Sequence, residues 1–266
     1  MRIGFCTNMM GASPGDTGAD YIERIAAVGF DYLEMPVAEM SLLDDDAFDA
    51  LVQRVENSGI RCEACNNFFP RDMRLTGPNP DTEAIKAYIP KMMKRLGRLG
   101  ISSLVFGSGP AKTAPEGFPL EQAFEQVAEV ARLAAPIAEQ YGITIVIEPL
   151  RRQECNLINS YEEGCRLVRE VSLPNVRGLV DYFHLTQEGE PAEHIVKDAS
   201  LLHHAHFARN EGRSFPSELA EEDTYGAFIG ALKEAGYTGR LSLEAYTGNF
   251  DDEAPRALAF MRKYFS

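Results

Sequence analysis

The sequence predicts an α/β fold and, within that class, a closed (β/α)8 barrel, or TIM barrel. Short apolar runs alternate with longer amphipathic stretches, and eight such pairs fill the 266 residues. Glycines also follow several of the amphipathic stretches, just before the next apolar run begins. Parallel strands need long crossover connections, which helices provide. Eight strand–helix units in a chain of about 250 residues are typical of a TIM barrel.

Each strand is predicted from a short apolar run. These runs lie at 2–6, 31–35, 60–65, 102–106, 143–147, 176–180, 201–206 and 240–244. The amphipathic stretches predict helices near 17–28, 44–57, 82–99, 119–141, 160–171, 191–198, 223–235 and 253–264. Asp81 and Ser160 are predicted to cap two of these helices, because short polar side chains accept a bond from the first free N–H groups.

An open doubly wound sheet is the alternative to the closed barrel. No GxGxxG motif follows the first predicted strand, where a dinucleotide-binding sheet would place it. No linker, low-complexity tract or shift in composition divides the chain. We therefore expect residues 1–266 to form one domain.

Composition narrows the classes of function. The net charge of −14 disfavours nucleic acid as a partner, since binding a phosphate backbone needs clustered cations. No apolar run of about 18 residues predicts a membrane helix. The N-terminal MRIGFCTNMM also lacks a secretory pattern, so a cytoplasmic location is expected. The five cysteines are irregularly spaced, and the pair Cys62 and Cys65 lies in a predicted strand, which favours buried, reduced thiols.

Four consecutive predicted strands end in side chains that bind metals. They are Glu148, Asp181, His206 and Glu244. In a TIM barrel the carboxyl ends of the strands form the active-site rim. Singly, each residue has an ordinary explanation as a loop charge, a turn residue, a core histidine or a partner of an arginine. Three buried carboxylates that converge without a cation would repel one another and would be costly to desolvate. Together they predict a divalent cation.

This donor set favours particular ions and a particular chemistry. Three carboxylates and one imidazole favour Mn2+, with Mg2+ or Co2+ as close alternatives and Zn2+ still open. Four protein ligands on a six-coordinate ion leave two positions for neighbouring oxygens of a sugar. Such an ion lowers the cost of an enediolate. Glu148 and Glu244 come from different strands, so one is placed to remove a proton and the other to return it.

The motifs IEPLRRQE, DYFH, HAHFARNEGR and LEAY resemble the sugar phosphate isomerase/epimerase superfamily of xylose-isomerase-like barrels. Within it they are most similar to the D-tagatose 3-epimerase and D-psicose (allulose) 3-epimerase group. The resemblance covers nearly the whole chain. It implies the same four metal ligands, with Glu148 and Glu244 as the acid/base pair that epimerises C3 of a ketose. Members of that group are often dimers or tetramers, so the resemblance also allows a homo-oligomer.

The resemblance implies roles for four further residues. Glu154 would hold the sugar near its carbonyl, and His184 and Arg213 would bind substrate hydroxyls and steady the developing oxyanion. Tyr246 would form part of the pocket wall. Ordinary loop charges and plain packing are the alternative explanations for these positions.

The chain also departs from the group. Arg151 and Arg152 stand where the group often has Asn-Arg, and the chain has no tryptophan after its first strand or elsewhere. An additional arginine at the mouth could receive a phosphate or carboxylate, so a sugar phosphate or sugar acid stays open as substrate.

Other functions remain open at this stage. Hydroxypyruvate isomerase and inosose dehydratase belong to the same superfamily and also remove a proton beside a carbonyl. An endonuclease IV-like enzyme would need histidine ligands from strands two to four, yet EMPVAE, CNNFF and FGSG contain no histidine. A non-catalytic sugar-binding barrel is the remaining alternative, and such a binder would have little use for both glutamates.

Overall fold

A computed structural model describes residues 1–13, 15–217 and 225–265 as one closed barrel of eight parallel strands. Each strand pairs with its neighbours along the chain, and the last pairs with the first. The strands are Arg2–Cys6 (β1), Tyr32–Pro36 (β2), Cys62–Asn66 (β3), Ser103–Phe106 (β4), Thr144–Ile147 (β5), Val176–Asp181 (β6), Leu202–Phe207 (β7) and Arg240–Leu243 (β8). The predicted TIM barrel is confirmed, and the open sheet is excluded.

Helices cover the outside of the barrel. They are Ile22–Val28 (α1), Val37–Met40 (α2), Asp45–Ser58 (α3), Thr82–Leu99 (α4), Gly109–Lys112 (α5), Leu120–Glu139 (α6), Tyr161–Val171 (α7), Tyr182–Gln187 (α8), Glu193–Lys197 (α9), Tyr225–Glu234 (α10) and Phe250–Phe265 (α11). Within the described residues, 3-10 turns accompany them at Thr7–Met10, Ala19–Tyr21, Ala199–Leu201 and Glu211–Arg213. All eight predicted helical stretches contain helix, although positions 223 and 224 of the predicted 223–235 helix lie outside the described residues.

The sequence did not predict three short helices. They are α2, α5 and α8, which lie just beyond the ends of β2, β4 and β6. Each has only four to six residues, which is too short to show a helical period in the sequence. They lie at the rim where the strands end, so they shape the mouth of the barrel.

The two predicted caps have different outcomes. Ser160 caps α7 as predicted, since its hydroxyl accepts a bond from the N–H of Glu163 at 3.1 Å. The prediction for Asp81 is wrong. Its carboxylate instead accepts bonds from the backbone N–H and the guanidinium of Arg74, at 2.9 and 3.0 Å. Arg74 thus occupies both carboxylate oxygens, and the side chain of Asp81 makes no bond to the free N–H groups at the start of α4.

The main apolar core fills the space between barrel and helices. Inside the barrel, one side holds a separate small cluster of Val105, Val146 and Leu179. The opposite side of the lumen is polar and is built from β1, β2, β7 and β8. The five cysteines are buried and free, as predicted. No helix in the described ranges has the length and apolar character needed to cross a bilayer.

Candidate active site and metal centre

The structure brings together the four side chains predicted as metal ligands. One donor atom from each of Glu148, Asp181, His206 and Glu244 lies within 4.8 Å of the others, and all four residues are buried. The Nδ1 atom of His206 lies at the centre. It is 3.0 Å from an oxygen of Glu148, 2.9 Å from one of Glu244 and 4.0 Å from one of Asp181. Their role as ligands remains a prediction.

The strand ladder explains why these residues converge. Asp181 lies opposite His206 in the register of β6 and β7. Glu148 and Glu244 come one residue after β5 and β8, yet their N–H groups still bond to the carbonyls of Phe106 and Phe207. The parallel ladder therefore continues for one more residue, which fixes both backbones where the rim begins.

Asp181 has a second role that orients it. One carboxylate oxygen accepts a bond from the N–H of Phe183 at 2.7 Å and so caps α8. Its other oxygen is left facing His206 and Arg213. The start of α8 thus holds this carboxylate in one orientation.

Two features hold Glu148 that the sequence did not reveal. Gly107, just after β4, leaves room for its carboxylate, because a Cβ at this position would lie 2.0 Å from Oε2 of Glu148. The ammonium group of Lys112, fully buried in α5, donates to the backbone carbonyl of Glu148 at 2.9 Å. The glycine in FGSG is an ambiguous signal. The lysine in the short, otherwise uncharged segment after it could have been recognised from the sequence as a candidate buried charge near the site.

Arg213 lies closer to the cluster than the resemblance implied. Its guanidinium donates to a carboxylate oxygen of Glu244 at 2.6 Å and of Asp181 at 3.3 Å, and it covers the ring of Phe183 at 5.0 Å. Burial would lower the pKa of Arg213, but the two carboxylates outweigh that effect and raise it. Arg213 therefore stays charged and offsets part of the negative charge of the site.

His184 presents a donor to the pocket. Its Nδ1 accepts a bond from the N–H of Arg151 at 3.2 Å, so the ring proton belongs on Nε2. Nε2 is buried, lies 3.6 Å from an oxygen of Asp181, and has no partner within hydrogen-bond distance among the described residues, and His184 lines the pocket. This is the arrangement expected of a group that waits for a substrate oxygen.

Glu154 and Tyr246 line the same pocket, and Tyr246 is 55% exposed at its mouth. The additional arginines are already paired. Arg151 donates to Glu154 at 2.6 Å, and Arg152 forms an ion pair with Glu188. Neither guanidinium is therefore free to receive an anionic substrate group without first leaving its carboxylate.

The pocket has a volume of about 400 Å³ and includes residues that were not predicted. Asn8 follows β1, and Asn67 and Arg71 follow β3. Next to them Asn66 donates to the side-chain oxygen of Asn8 at 3.0 Å. The sequence gave no reason to predict Asn8 and Asn67 as pocket residues, because a single uncharged amide after a strand is common and the two do not share a repeated spacing.

The charges of the cluster fit a divalent cation. Burial raises the pKa of Glu148, and the Glu244 carboxylate adds to the rise. Burial acts in the same direction on Glu244, but Arg213 and His206 outweigh it and lower its pKa to about 2. Arg213 thus compensates Glu244 and leaves Glu148 poorly compensated. Oxygen-rich donors around one imidazole nitrogen are suited to Mn2+ or a similar ion.

Known proteins of similar sequence include enzymes named as epimerases and isomerases. A D-psicose 3-epimerase of Ruminiclostridium cellulolyticum is 28% identical over 240 residues, which cover 85% of this chain and 77% of that protein. A putative hydroxypyruvate isomerase of Streptomyces coelicolor is 25% identical over 254 residues, covering 89% and 87% of the two chains. The predicted enzyme class is confirmed at this level, as an isomerase or epimerase.

Two further comparisons concern the fold and the family. The crystal structure of D-psicose 3-epimerase with D-tagatose from Clostridium cellulolyticum H10 superposes with a TM-score of 0.83 at 23% identity and covers all of both chains. A likeness at this identity shows the shared fold. The family model described as "Xylose isomerase-like TIM barrel" matches residues 22–264, so this chain belongs to the xylose isomerase-like TIM barrel family.

Proposed function

We propose that the protein is a metal-dependent sugar isomerase or epimerase, and specifically that it epimerises C3 of a ketose. The observation that carries the proposal is the buried group of Glu148, Asp181, His206 and Glu244 at the carboxyl ends of four adjacent strands. The similarity to proteins named D-psicose 3-epimerase supports the choice of carbon.

The same four side chains would hold the ion, with Mn2+ favoured by the oxygen-rich donor set. When bound, such an ion polarises the substrate carbonyl and stabilises the negative charge that develops on its oxygen. Arg213 stays beside Glu244 and Asp181, where its charge offsets part of their negative charge and lowers the pKa of Glu244.

Glu148 and Glu244 are the acid/base pair in this proposal. They enter from β5 and β8, the two ends of the row of four strands, with β6 and β7 between them. One carboxylate takes the proton from C3, and the electron pair of the broken C–H bond moves toward the carbonyl. The other, in its acid form, returns a proton to the opposite face of C3. The sum is inversion at C3, with no net gain or loss of protons by the sugar.

The remaining pocket residues bind and orient the sugar. The N–H of His184 donates to a substrate oxygen near the reacting carbons, and Glu154 accepts from a hydroxyl. Met9, Leu150 and Tyr246 supply apolar wall around these polar groups. Arg151 and Arg152 are paired with carboxylates and so do not favour a phosphorylated ketose, whereas Arg71 also lines the pocket and is the arginine that such a phosphate would meet.

The experiment is a proton-exchange assay in D2O. The protein is stripped with a chelator, reloaded with Mn2+, and incubated with free ketoses, ketose phosphates, hydroxypyruvate or inosose. We expect deuterium at C3 of a free ketose and formation of its C3 epimer, both lost with chelator and restored by Mn2+. If the metal-loaded protein exchanges no proton of any ketose, the proposal is wrong.

A second candidate is isomerisation of hydroxypyruvate, which the relative from Streptomyces coelicolor favours. The same assay separates the two. Turnover of hydroxypyruvate without exchange at C3 of any ketose would replace the first proposal by the second.

A further inference from the structure

A network of polar side chains lies inside the barrel, beneath the candidate metal centre. Its middle is the carboxylate of Glu34 in β2, which is fully buried. One oxygen of Glu34 lies 2.8 Å from Nε2 of His206. The other lies 2.8 Å from Nε2 of His204 and accepts a bond from the hydroxyl of Ser242 at 2.6 Å. The hydroxyl of Tyr32 lies 2.8 Å from Ser242 and extends the network.

His206 joins this network to the metal centre. Its Nδ1 faces Glu148, Asp181 and Glu244, whereas its Nε2 faces Glu34. An ionised carboxylate only accepts hydrogen bonds, so the nitrogen that faces Glu34 must carry a proton. By the same rule Nδ1, which lies 3.0 and 2.9 Å from oxygens of Glu148 and Glu244, also carries a proton while no cation is bound. When a cation takes the place of that proton, the ring becomes neutral, its one proton stays on Nε2, and the lone pair of Nδ1 is directed at the cation. This is the form of the ring that binds a metal.

We propose that Glu34 is a positioning residue that fixes His206 as the Nε2–H tautomer and so prepares its Nδ1 to bind a divalent cation. The inference rests on the proposed metal site. The proposed ion lies among Glu148, Asp181, Glu244 and Nδ1 of His206, whereas Glu34 faces Nε2 on the other side of the ring, so in this proposal Glu34 acts through His206.

The residues that line the lumen indicate that the carboxylate of Glu34 does more than occupy space inside the barrel. The opposite side of the same lumen is filled by Val105, Val146 and Leu179, so apolar side chains fit a space of this kind. A buried carboxylate is costly unless it is well paired. The surrounding residues are arranged for it, because Gly4 leaves space for the ring of Tyr32, where a Cβ would lie 2.2 Å from the ring.

The first test measures Mn2+ affinity, by titration calorimetry and by the electron paramagnetic resonance signal of free Mn2+. Glu34→Gln keeps the shape but removes the negative charge, so the partner of Nε2 becomes a weaker acceptor and no longer raises the basicity of the ring. Loss of such a partner of a ligating histidine typically weakens metal binding about 10- to 100-fold, and we expect that loss here. Tyr32→Phe is the matched control, since it removes a hydroxyl from the same network but leaves Glu34, Ser242 and His206 in place. Its affinity should equal that of the unchanged protein.

A double variant tests whether Glu34 acts through His206. In a His206→Gln background, the additional change Glu34→Gln should weaken Mn2+ binding no further. If the two losses add, Glu34 acts by another route and the inference fails. Equal Mn2+ affinity of Glu34→Gln and the unchanged protein would also overturn it.

A third measurement needs no variant and therefore does not depend on how Glu34→Gln folds. In the ¹⁵N-histidine-labelled, Mg2+-loaded protein, nuclear magnetic resonance should show the His206 proton on Nε2, and a proton on Nδ1 would overturn the inference. If the unchanged protein binds neither Mn2+ nor Mg2+, the proposed metal site fails first, which separates that failure from this one.

Discussion

The two ends of the barrel both hold carboxylates beside arginines, but they balance the charges differently. At the amino-terminal end, Glu63 accepts bonds from Arg2 and Arg240, so two cations surround one carboxylate. At the carboxyl end, Arg213 faces Glu244 and Asp181, while the carboxylate of Glu148 faces the ring of His206 and the ammonium of Lys112 donates to the Glu148 backbone carbonyl. The first cluster is complete within the protein, and the second needs another positive charge.

Burial sharpens the contrast. The side chains of Arg2 and Arg240 at the amino-terminal end are 52% and 26% exposed, so water screens and solvates the pair. At the other end the carboxylates and His206 are buried. An uncompensated charge is inexpensive in water and costly in a protein interior. The imbalance at the carboxyl end therefore indicates a function, whereas the balanced cluster indicates stability.

The largest expected effect is on activity. Glu148→Gln and Glu244→Gln each remove a proposed acid/base group, which is worth about 10²- to 10⁴-fold in rate, and each also removes a metal ligand. We expect at least that loss of kcat in the exchange assay with Mn2+. Glu63→Gln is the control from the opposite end and should keep full activity. Equal activity of the three variants would remove the distinction between the two ends.

The next effect is steric and acts through Gly107. A methyl group there would overlap the Glu148 carboxylate, which must then turn away from His206. Displacement of a catalytic group by about 1 Å costs on the order of 100-fold in rate, so we expect Gly107→Ala to lose about that much. Gly226→Ala is the control, because a Cβ at Gly226 meets nothing within 4 Å. Full activity of Gly107→Ala would show that the carboxylate is not held where the structure places it.

The difference between Glu148 and Gly107 shows what the sequence can predict. Glu148 is a charged residue at the end of an apolar run, which is unusual enough to be noticed in the sequence. Once the strands are predicted to form a barrel, the end of that run is expected to lie at the rim. Gly107 matters only because of a side chain 41 positions away, and no local pattern encodes that contact.

Glu34 illustrates the same limit for charges. It lies in the predicted strand DYLEM, where a single glutamate fits an ordinary half-exposed strand. Its partners His204 and His206 are 170 and 172 residues distant, and only closure of the barrel brings them together. The strands and the rim residues followed from periodicity and residue type, whereas the supporting contacts depend on packing across the barrel.

A smaller effect concerns the free energy of unfolding, which we expect to change in opposite directions for substitutions at the two ends of the barrel. In the metal-free protein, Glu148→Gln removes one of three mutually repelling carboxylates, so we expect the free energy of unfolding to rise by about 1 kcal/mol. Glu63→Gln weakens charge-assisted bonds to Arg2 and Arg240 and should lower it by about 1–2 kcal/mol. Urea unfolding at neutral pH measures both. Two changes of the same sign would contradict the comparison.

The smallest effect concerns His203, near the start of β7 at the amino-terminal end. Burial is the largest cause that lowers the pKa of His203 to about 4, and His204, Arg240 and Arg177 add to it. The unfolded chain therefore binds this proton more readily than the folded protein between pH 6.5, the ordinary pKa of histidine, and pH 4. The stability that neutral His203 permits is present above this range and is lost as the pH falls through it. His203→Gln should flatten that slope when stability from urea unfolding is plotted against pH. An equal pH dependence of both proteins would show that burial and the neighbouring charges do not hold the ring neutral.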